Sequence, residues 1–480
     1  MANLLIVVLI WAASLIGLFA FIIKILRLNR VPNSVAFFHP NCNAGGGGEY
    51  VLWAAVRAFV EQYPDKEVYI YTSGPASKAA AYSAVNRAID VFGLPPTKAL
   101  QSVSLVHLTT GKLMFRDYRH LTLLLQSLGC FIAGVEAFWR LLPEVYIDTT
   151  GAAFTYPAFK LLGGCKSVAG YIHYPTIHGD MIRDVRAGDI TSVCVSEDDQ
   201  KALRKRAKIA YYKAMAKVYS AAGNCADIIM ANGTWTSNHI RTLWRPRLGI
   251  SIVYPPCKVA GAAARGRGDD FGTTTIISIG QFRPEKRHRD QVAAFHMMLL
   301  RHPELFGSVK LVLVGSTRGP ADVALREAVR DDCAKRGLLA AQAVEFPEDV
   351  NAAQKDLLLS RAVIGLHMMH DEHFGICVVE YMAAGVVPVV HESAGPKLDI
   401  VVPALTARDA DKVQAEEDPE NGKAVGMLAN TTEEFAECLF TLVSNKKLRE
   451  AMSARAQKRA AQFSIENFDV GFMNTISKIL

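Results

Sequence analysis

None of the nine cysteines, at positions 42, 130, 165, 194, 225, 257, 333, 377 and 438, stands in a C-x-x-C pair, and their number is odd. That argues against a zinc ribbon or a disulfide framework and favours a reducing compartment. There is no glycine period, and Gly and Pro (35 and 20 of 480) are no richer than ordinary, which excludes a collagen-like chain. With 50% hydrophobic residues the chain is not disordered either. Charged residues make up only 21%, and the net charge of +7 suits phosphates or anionic lipid but is too weak for a nucleic-acid binder. At 480 residues the chain is too long for one ordinary core and suits two or three domains.

What is present begins with an apolar run. Leu4–Ile23 holds no charge and only Ser14 and Gly17 as small interruptions. At 1.5 Å per residue it reaches about 30 Å, one hydrocarbon thickness. Lys24, Arg27 and Arg30 follow it and no Lys or Arg precedes it. A cleavable signal would carry its positive charge first. The positive-inside rule then expects a single-span anchor, residues 1–30, with everything after Arg30 in the cytosol. Residues 201–217 carry seven basic residues and no acid among Leu203, Ile209, Tyr212 and Met215. Such a helix suits anionic headgroups or a solvated face. Residues 121–139 are strongly apolar, but Gln126 and Glu136 point to a buried or interfacial helix and not to a second span.

Short β-rich runs alternate with helical patterns along the rest of the chain. VAFFH (35–39), VYIYT (68–72), SVSLVHL (102–108), VYIDTT (145–150), SVAGYIH (167–173), DIIMAN (227–232) and IVYPP (252–256) form a first series. TTIISIG (274–280), KLVLVG (310–315), AVEFP (343–347), AVIGLH (362–367) and VVPVVH (386–391) form a second. Alternation of this kind predicts α/β architecture, two doubly wound units with mostly parallel sheets. The expected domains are 31–258 and 273–480, joined by a small, charged, Gly-rich linker at 259–272, with the last helix returning to the N-terminal domain. Ligands of such sheets sit beyond the carboxyl ends of the strands.

Four constellations fall at expected strand ends. HPNCNAGGGGEY (39–50) places Gly45, Gly46, Gly47 and Gly48 between a strand and a helix expected over 49–63. Bare backbone there can approach a phosphate or sugar, or simply make a tight turn. In GQFRPEKRH (280–288), Arg283 and Lys286 stand three apart at the start of the next helix and can aim at one pyrophosphate. In HDEHFGICVVEYMAAG, Glu372 lies before a helix starting at Gly375 and Glu380 lies inside it, eight residues on. One carboxylate can bind a hexose and the other a ribose, with the Phe374, Gly375 and Ile376 amides facing phosphate between them. The following SAGPKLDIV (393–401) reads as a tight turn framing the same pocket. In YIHYPTIHGD, His173 ends a strand and is a candidate partner for a sugar hydroxyl. Asp409 and Asp411 form a D-x-D that follows no strand, so no metal site is expected there.

At these residues the sequence resembles a known family. Two Rossmann-like units with an E-x7-E pair, Glu372 and Glu380, look like a retaining GT-B glycosyltransferase. The blocks HPNCNAGGGGEYVLWAAVRA, YIHYPTIHGDM, IVYPPC, GQFRPEKRH and EHFGICVVEYMAAG…GPKLDIVVP, in order from about residue 35 to 403, resemble the eukaryotic dolichol-linked-oligosaccharide α1,2-mannosyltransferases. The resemblance implies GDP-mannose as donor and Man3GlcNAc2-diphosphodolichol as acceptor, with two successive α1,2-mannose additions giving Man5GlcNAc2-diphosphodolichol. It implies an endoplasmic reticulum membrane protein of asparagine-linked glycosylation, its body on the cytosolic face, with membrane lipid and other cytosolic-face mannosyltransferases of the pathway as partners. By the same resemblance Lys286, Arg283 and the helix start at Gly375 stabilise departing GDP, Glu372 binds mannose, Glu380 the ribose, and no metal or cofactor is expected. One position departs from the wider superfamily: Gln281 stands where an arginine is usual, so Arg283 or Lys286 must supply that charge. Another lipid-linked glycosyltransferase of the pathway, or a non-catalytic nucleotide-sugar-binding membrane module, are the competing readings.

Overall fold

The computed structural model describes residues 11, 14, 17–18, 21–25, 27–162, 164–177, 202–259, 272–317, 319–348, 350–408 and 423–480. The expected anchor falls largely outside them, as do most of the linker, His178–Asp180 and the Asp409–Asp411 pair. The chain divides into two compact units: Met1–Asn232, Thr236–Tyr254 and Asp469–Leu480 form the first, and Gly233–Trp235 with Pro255–Phe468 the second.

The first unit is built as β1 (Ser34–Phe38), α1 (Gly47–Gln62), β2 (Glu67–Thr72), α2 (Lys78–Phe92), β3 (Ser104–His107), α3 (Thr122–Arg140), β4 (Val145–Asp148), α4 (Tyr156–Leu161), β5 (Ser167–Ile172), α5 (Ala202–Gly223), β6 (Ile228–Ala231), α6 (Thr234–Leu243) and β7 (Ile250–Ile252). Its seven strands lie in the order β3-β2-β1-β4-β5-β6-β7. Every pairing is parallel. Helices on both faces bury β1, β4, β5 and β6 completely, which is why these strands read as largely apolar runs, β4 ending on the buried Asp148. Tyr146 stacks on Phe159 at 3.8 Å in the core. The strand expected over 252–256 ends at Ile252, because the two prolines after Tyr254 cannot donate to a ladder.

The second unit runs β8 (Thr274–Ile279), α7 (His288–Arg301), β9 (Val309–Val314), α8 (Pro320–Lys335), β10 (Val344–Glu345), α9 (Ala352–Arg361), β11 (Ile364–His367), α10 (Ile376–Ala383), β12 (Val387–His391), β13 (Leu405–Thr406), β14 (Met427–Ala429), α11 (Thr432–Ser444), α12 (Lys446–Ala460) and α13 (Ile465–Ile476). The strand order is β10-β9-β8-β11-β12-β14-β13. All pairings are again parallel. From Asp469 onward α13 belongs to the first unit, where Phe472 stacks on Phe37 at 6.5 Å and Asp469 pairs with Arg57. The strand order reverses between β1 and β4 in the first unit and between β8 and β11 in the second. Those are the crevices in which open α/β sheets bind ligands.

Candidate active site

At the second unit's crevice, β8 ends at Ile279 and the chain turns through Gly280. A Cβ on Gly280 would lie 3.4 Å from the Lys286 stem, and one on Gly315 would lie 2.1 Å from the Gly280 carbonyl oxygen. The two glycines let the loops after β8 and β9 close on one another, with Lys286 laid across the first. Lys286 does not start the next helix, as the spacing suggested. Pro284 opens a short helical turn, Pro284–Lys286, and Arg287 at φ +54° breaks it before α7 begins.

That turn delivers the Lys286 Nζ to Glu372 Oε2 at 2.6 Å and to Met369 Sδ at 3.2 Å. His367, the buried last residue of β11, places its Nε2 3.1 Å from the same Glu372 oxygen. Its Nδ1 meets Cys377 Sγ at 3.6 Å. Glu372 Oε1 takes part in neither cation contact. The Glu372 backbone is fixed as well: its carbonyl accepts from Gly395 N at 2.9 Å. Next to it, Asp371 N donates to Ser393 Oγ at 2.8 Å.

Charge follows from this geometry. Burial alone would raise the Glu372 carboxyl, but the His367 hydrogen bond and the Lys286 charge outweigh it and hold it far below the ordinary carboxylate range. Burial disfavours the His367 imidazolium, yet Cys377 on one nitrogen and Glu372 on the other push its pKa up to about 9. Burial also opposes the Lys286 charge, and the neighbouring carboxylate more than restores it. At neutral pH the three groups therefore carry one carboxylate and two cations.

The other expected residues sit around them. Gly375 caps α10 at φ +104°, a conformation open to glycine and strained for other residues. A Cβ on Gly395 would lie 2.4 Å from the His373 carbonyl oxygen, so the 393–396 loop touches the 373–374 backbone. Phe374 is buried with its ring edge-on to Phe463 at 5.6 Å, and Ile376 opens α10. The expected tight turn over 393–401 is instead a wide helical turn, Pro396–Ile400. The proline lacks an N–H to donate, and position N1 of a helix requires none. Glu380, one turn inside α10, pairs with Lys355 of α9 at 2.6 Å. The next residue, Tyr381, accepts a hydrogen bond from Ile279 N at 2.7 Å and fills the space above Gly365. Arg283 caps the short turn, and its guanidinium makes no ion pair among the described residues. Gln281 lies half-buried in the same loop.

The first unit collects polar groups at its own crevice. His39, just after β1, reaches Thr149 Oγ1 at 2.9 Å and Glu49 Oε1 at 3.4 Å. His173, just after β5, donates from Nε2 to the Thr149 carbonyl at 2.9 Å. Gly48 lies beside both imidazoles, where a Cβ would sit in ordinary contact, 3.7 Å from His173 Nε2 and 3.8 Å from His39 Cε1. The glycine run is not wholly a loop. Gly45 turns at φ +76°, Gly46 caps the helix, and Gly47 and Gly48 form the first turn of α1. The helix starts two residues early because Glu49 Oε2 accepts from Gly46 N at 2.7 Å, satisfying an end the glycine cannot cap by itself. Burial would raise the Glu49 carboxyl, but His39 and the Gly46 amide outweigh it and keep it lowered.

The structure thus joins Lys286 to Glu372 and places Gly375, Phe374 and Ile376 directly after them. It joins His173 to Gly48, and it ties Glu380 to a separate cation. His367, Lys355, His39, Glu49 and Thr149 were not singled out from the sequence. The signal that flagged His173, a histidine at a strand end, also marks His39 and His367.

A family model described as "ALG11 mannosyltransferase N-terminus" matches residues 32–244, and one described as "Glycosyl transferases group 1" matches residues 268–459. Curated proteins named GDP-Man:Man(3)GlcNAc(2)-PP-Dol alpha-1,2-mannosyltransferase match over nearly the whole chain. The one from Mus musculus is 39% identical over 454 residues, 93% of this chain and 87% of its own length. Those from Homo sapiens and Dictyostelium discoideum are 38% and 37% identical, each over 93% of this chain and over 87% and 85% of their own lengths. Among solved structures, a sucrose-phosphate synthase from Thermosynechococcus elongatus has TM-score 0.63 at 14% identity, over 93% of this chain and 98% of that one. The lipopolysaccharide outer core galactosyltransferase WaaB has TM-score 0.58 at 14% identity, over 93% and 100%. Both share the GT-B fold of two Rossmann-like domains. The chain belongs to the family of GDP-Man:Man(3)GlcNAc(2)-PP-Dol α-1,2-mannosyltransferases.

Proposed function

We propose that the chain is a retaining glycosyltransferase that adds two successive α1,2-linked mannoses from GDP-mannose to Man3GlcNAc2-diphosphodolichol, giving Man5GlcNAc2-diphosphodolichol in asparagine-linked glycosylation. The observation that carries the mechanism is the single Glu372 oxygen shared by Lys286 and His367 at the β8–β11 crevice. GDP departs with negative charge, and stabilising it is the main electrostatic task. Lys286, Arg283 and the amides opening α10 supply the positive charge and donors for that task.

Glu372 is a fixed carboxylate. It has no proton to donate, and two cations on Oε2 make it a poor base. Its role is to accept hydroxyls of the mannose and to oppose the positive charge that grows on the sugar as the glycosidic bond breaks. A departing phosphate oxygen takes the proton of the acceptor hydroxyl. Glu380 binds the ribose from beside Lys355, and His173 with the glycine turn serves the sugar of the acceptor in the first unit.

No divalent ion has a step in this scheme. Leu4–Ile23 anchors the chain once in the endoplasmic reticulum membrane with the body in the cytosol, supported by Lys24, Arg27 and Arg30 on its trailing side. Partners of the same pathway would meet it there. The test is transfer by the purified full chain in EDTA with GDP-mannose, UDP-glucose or GDP-glucose. Labelled lipid-linked product from GDP-mannose alone is expected. Transfer from UDP-glucose, or loss on chelation restored by a divalent ion, contradicts the reading.

A further inference from the structure

We infer that α3 lies in the plane of the anionic leaflet and forms, with α5, a second membrane-contact surface beyond the N-terminal anchor. One face of α3 is core: Cys130, Ala133, Gly134 and Ala137 are buried. Cβ atoms on Gly129 and Gly134 would lie 2.9 Å from the Leu113 backbone and 2.8 Å from Thr155 Cα, so that face is packed tightly. The opposite face is bare. Leu124, Leu128, Phe131, Ile132, Val135 and Trp139 are exposed, Leu128 by 50% and Trp139 by 65%. Thr122 and Arg140, at the two ends, are the only polar residues among the exposed positions of the helix. A contiguous apolar stripe of this kind on a soluble surface marks a contact.

Three observations commit that contact to lipid. The apolar N-terminal segment leaves the first unit beside the end of α3: Val31 N donates to Leu142 O at 2.9 Å, and Arg27 Nε to Leu162 O at 2.9 Å. Leu161, next to that attachment, is 70% exposed. At the other end, Tyr211 of α5 accepts from Leu124 N at 2.9 Å. The α5 helix holds no acidic residue, and its Arg206, Lys213 and Lys217 are exposed. An apolar stripe between a membrane segment and a basic helix has the composition of an interfacial helix, whose charges meet anionic headgroups while its apolar side enters the acyl boundary. The packed face prevents α3 from crossing the bilayer, since spanning would strip Gly129 and Gly134 from the core. The inference rests on a lipid-linked acceptor, which such a surface would keep in reach.

The test places a photoreactive benzoylphenylalanine at Leu128 or Val135 in the full chain, reconstituted in vesicles of phosphatidylcholine and phosphatidylinositol. Leu300, a leucine of the second unit more exposed than either, is the reference. Phospholipid adducts at positions 128 and 135 are expected at about tenfold or more over position 300. Adducts no higher than at Leu300, or adducts to another polypeptide, overturn the inference. Because the adducts need no turnover, their presence in a protein that transfers no mannose would preserve the surface and refute the proposed function instead. With Leu128→Gln and Val135→Gln combined, transfer to long-chain polyprenyl acceptors should fall about tenfold and transfer to short soluble analogues should stay. Equal losses on both would show the face to be structural.

Discussion

Lys286 and Glu372 stand 86 residues apart in the chain and meet with 2.6 Å between Nζ and Oε2. The contact joins the loop after β8 to the loop after β11, the two strands between which the second sheet reverses. Because His367 takes the same oxygen from beneath, the carboxylate neutralises only one of the two cations beside it. What remains is a second carboxylate oxygen, Oε1, outside both contacts.

Lys286→Ala should lower kcat/KM by roughly 10²–10³, the loss typical of one preorganised donor to developing negative charge. Initial rates of the folded variant check this. Turnover close to that of the unaltered protein would remove Lys286 from the site.

The two glutamates should separate in their kinetics. If Glu380 binds the ribose as proposed, Glu380→Gln removes a contact made both before and during reaction, so GDP binding should weaken and the donor KM should rise. Glu372→Gln keeps the shape and removes charge beside the reacting sugar, so kcat should fall with GDP affinity nearly intact. Calorimetry with GDP and initial rates decide between them; loss of GDP affinity on Glu372→Gln, with Glu380→Gln binding normally, would reverse the roles.

The His367 pair sets an alkaline limit. Its folded pKa of about 9 lies above the ordinary 6.5, so the stability gained from its charged form is complete below about 6.5 and is lost as pH rises through about 9. Lys286, raised above its ordinary 10.5, titrates later and does not account for that limb. Glu372, whose pKa is lowered, contributes stability above 4.5 that is lost only in strong acid. Both kcat/KM and Tm should therefore decline through about pH 9, and His367→Gln should remove that inflection from the rate profile. An inflection unchanged in His367→Gln would assign it to another group.

Gly375→Ala should cost about 1–3 kcal/mol, the range for a residue forced into a sparsely populated backbone region. The added Cβ would also lie 3.3 Å from Val378 and 3.4 Å from Glu372 Cγ. Thermal unfolding should show Tm reduced by several degrees. Gly319→Ala, at an open position with ordinary φ, should leave Tm nearly unchanged.

The strands were legible because burial on both faces leaves unbroken apolar runs, as in β1 and β5. The missed strands, β13 and β14, are two and three residues long, and Met427–Ala429 has no β-branched residue to mark it. The glutamates and Lys286 could be found because each lies in a local pattern: a glycine before a helix, or a charge after a strand. Lys355 could not, since its partner is 25 residues away on another helix and no spacing rule links them. His367 could have been found by the reasoning applied to His173. The start of α1 was misplaced because a glycine run signals a turn, and only the Glu49 side chain reveals that it is already helix.

The central claim is the transfer itself, and product analysis tests it most directly. The full chain, given labelled GDP-mannose and Man3GlcNAc2-diphosphodolichol, should release a glycan longer by two mannoses, both removed by an α1,2-specific mannosidase. A glycan extended through any other linkage, or lipid-linked acceptor recovered unchanged beside an intact, folded protein, would contradict the account.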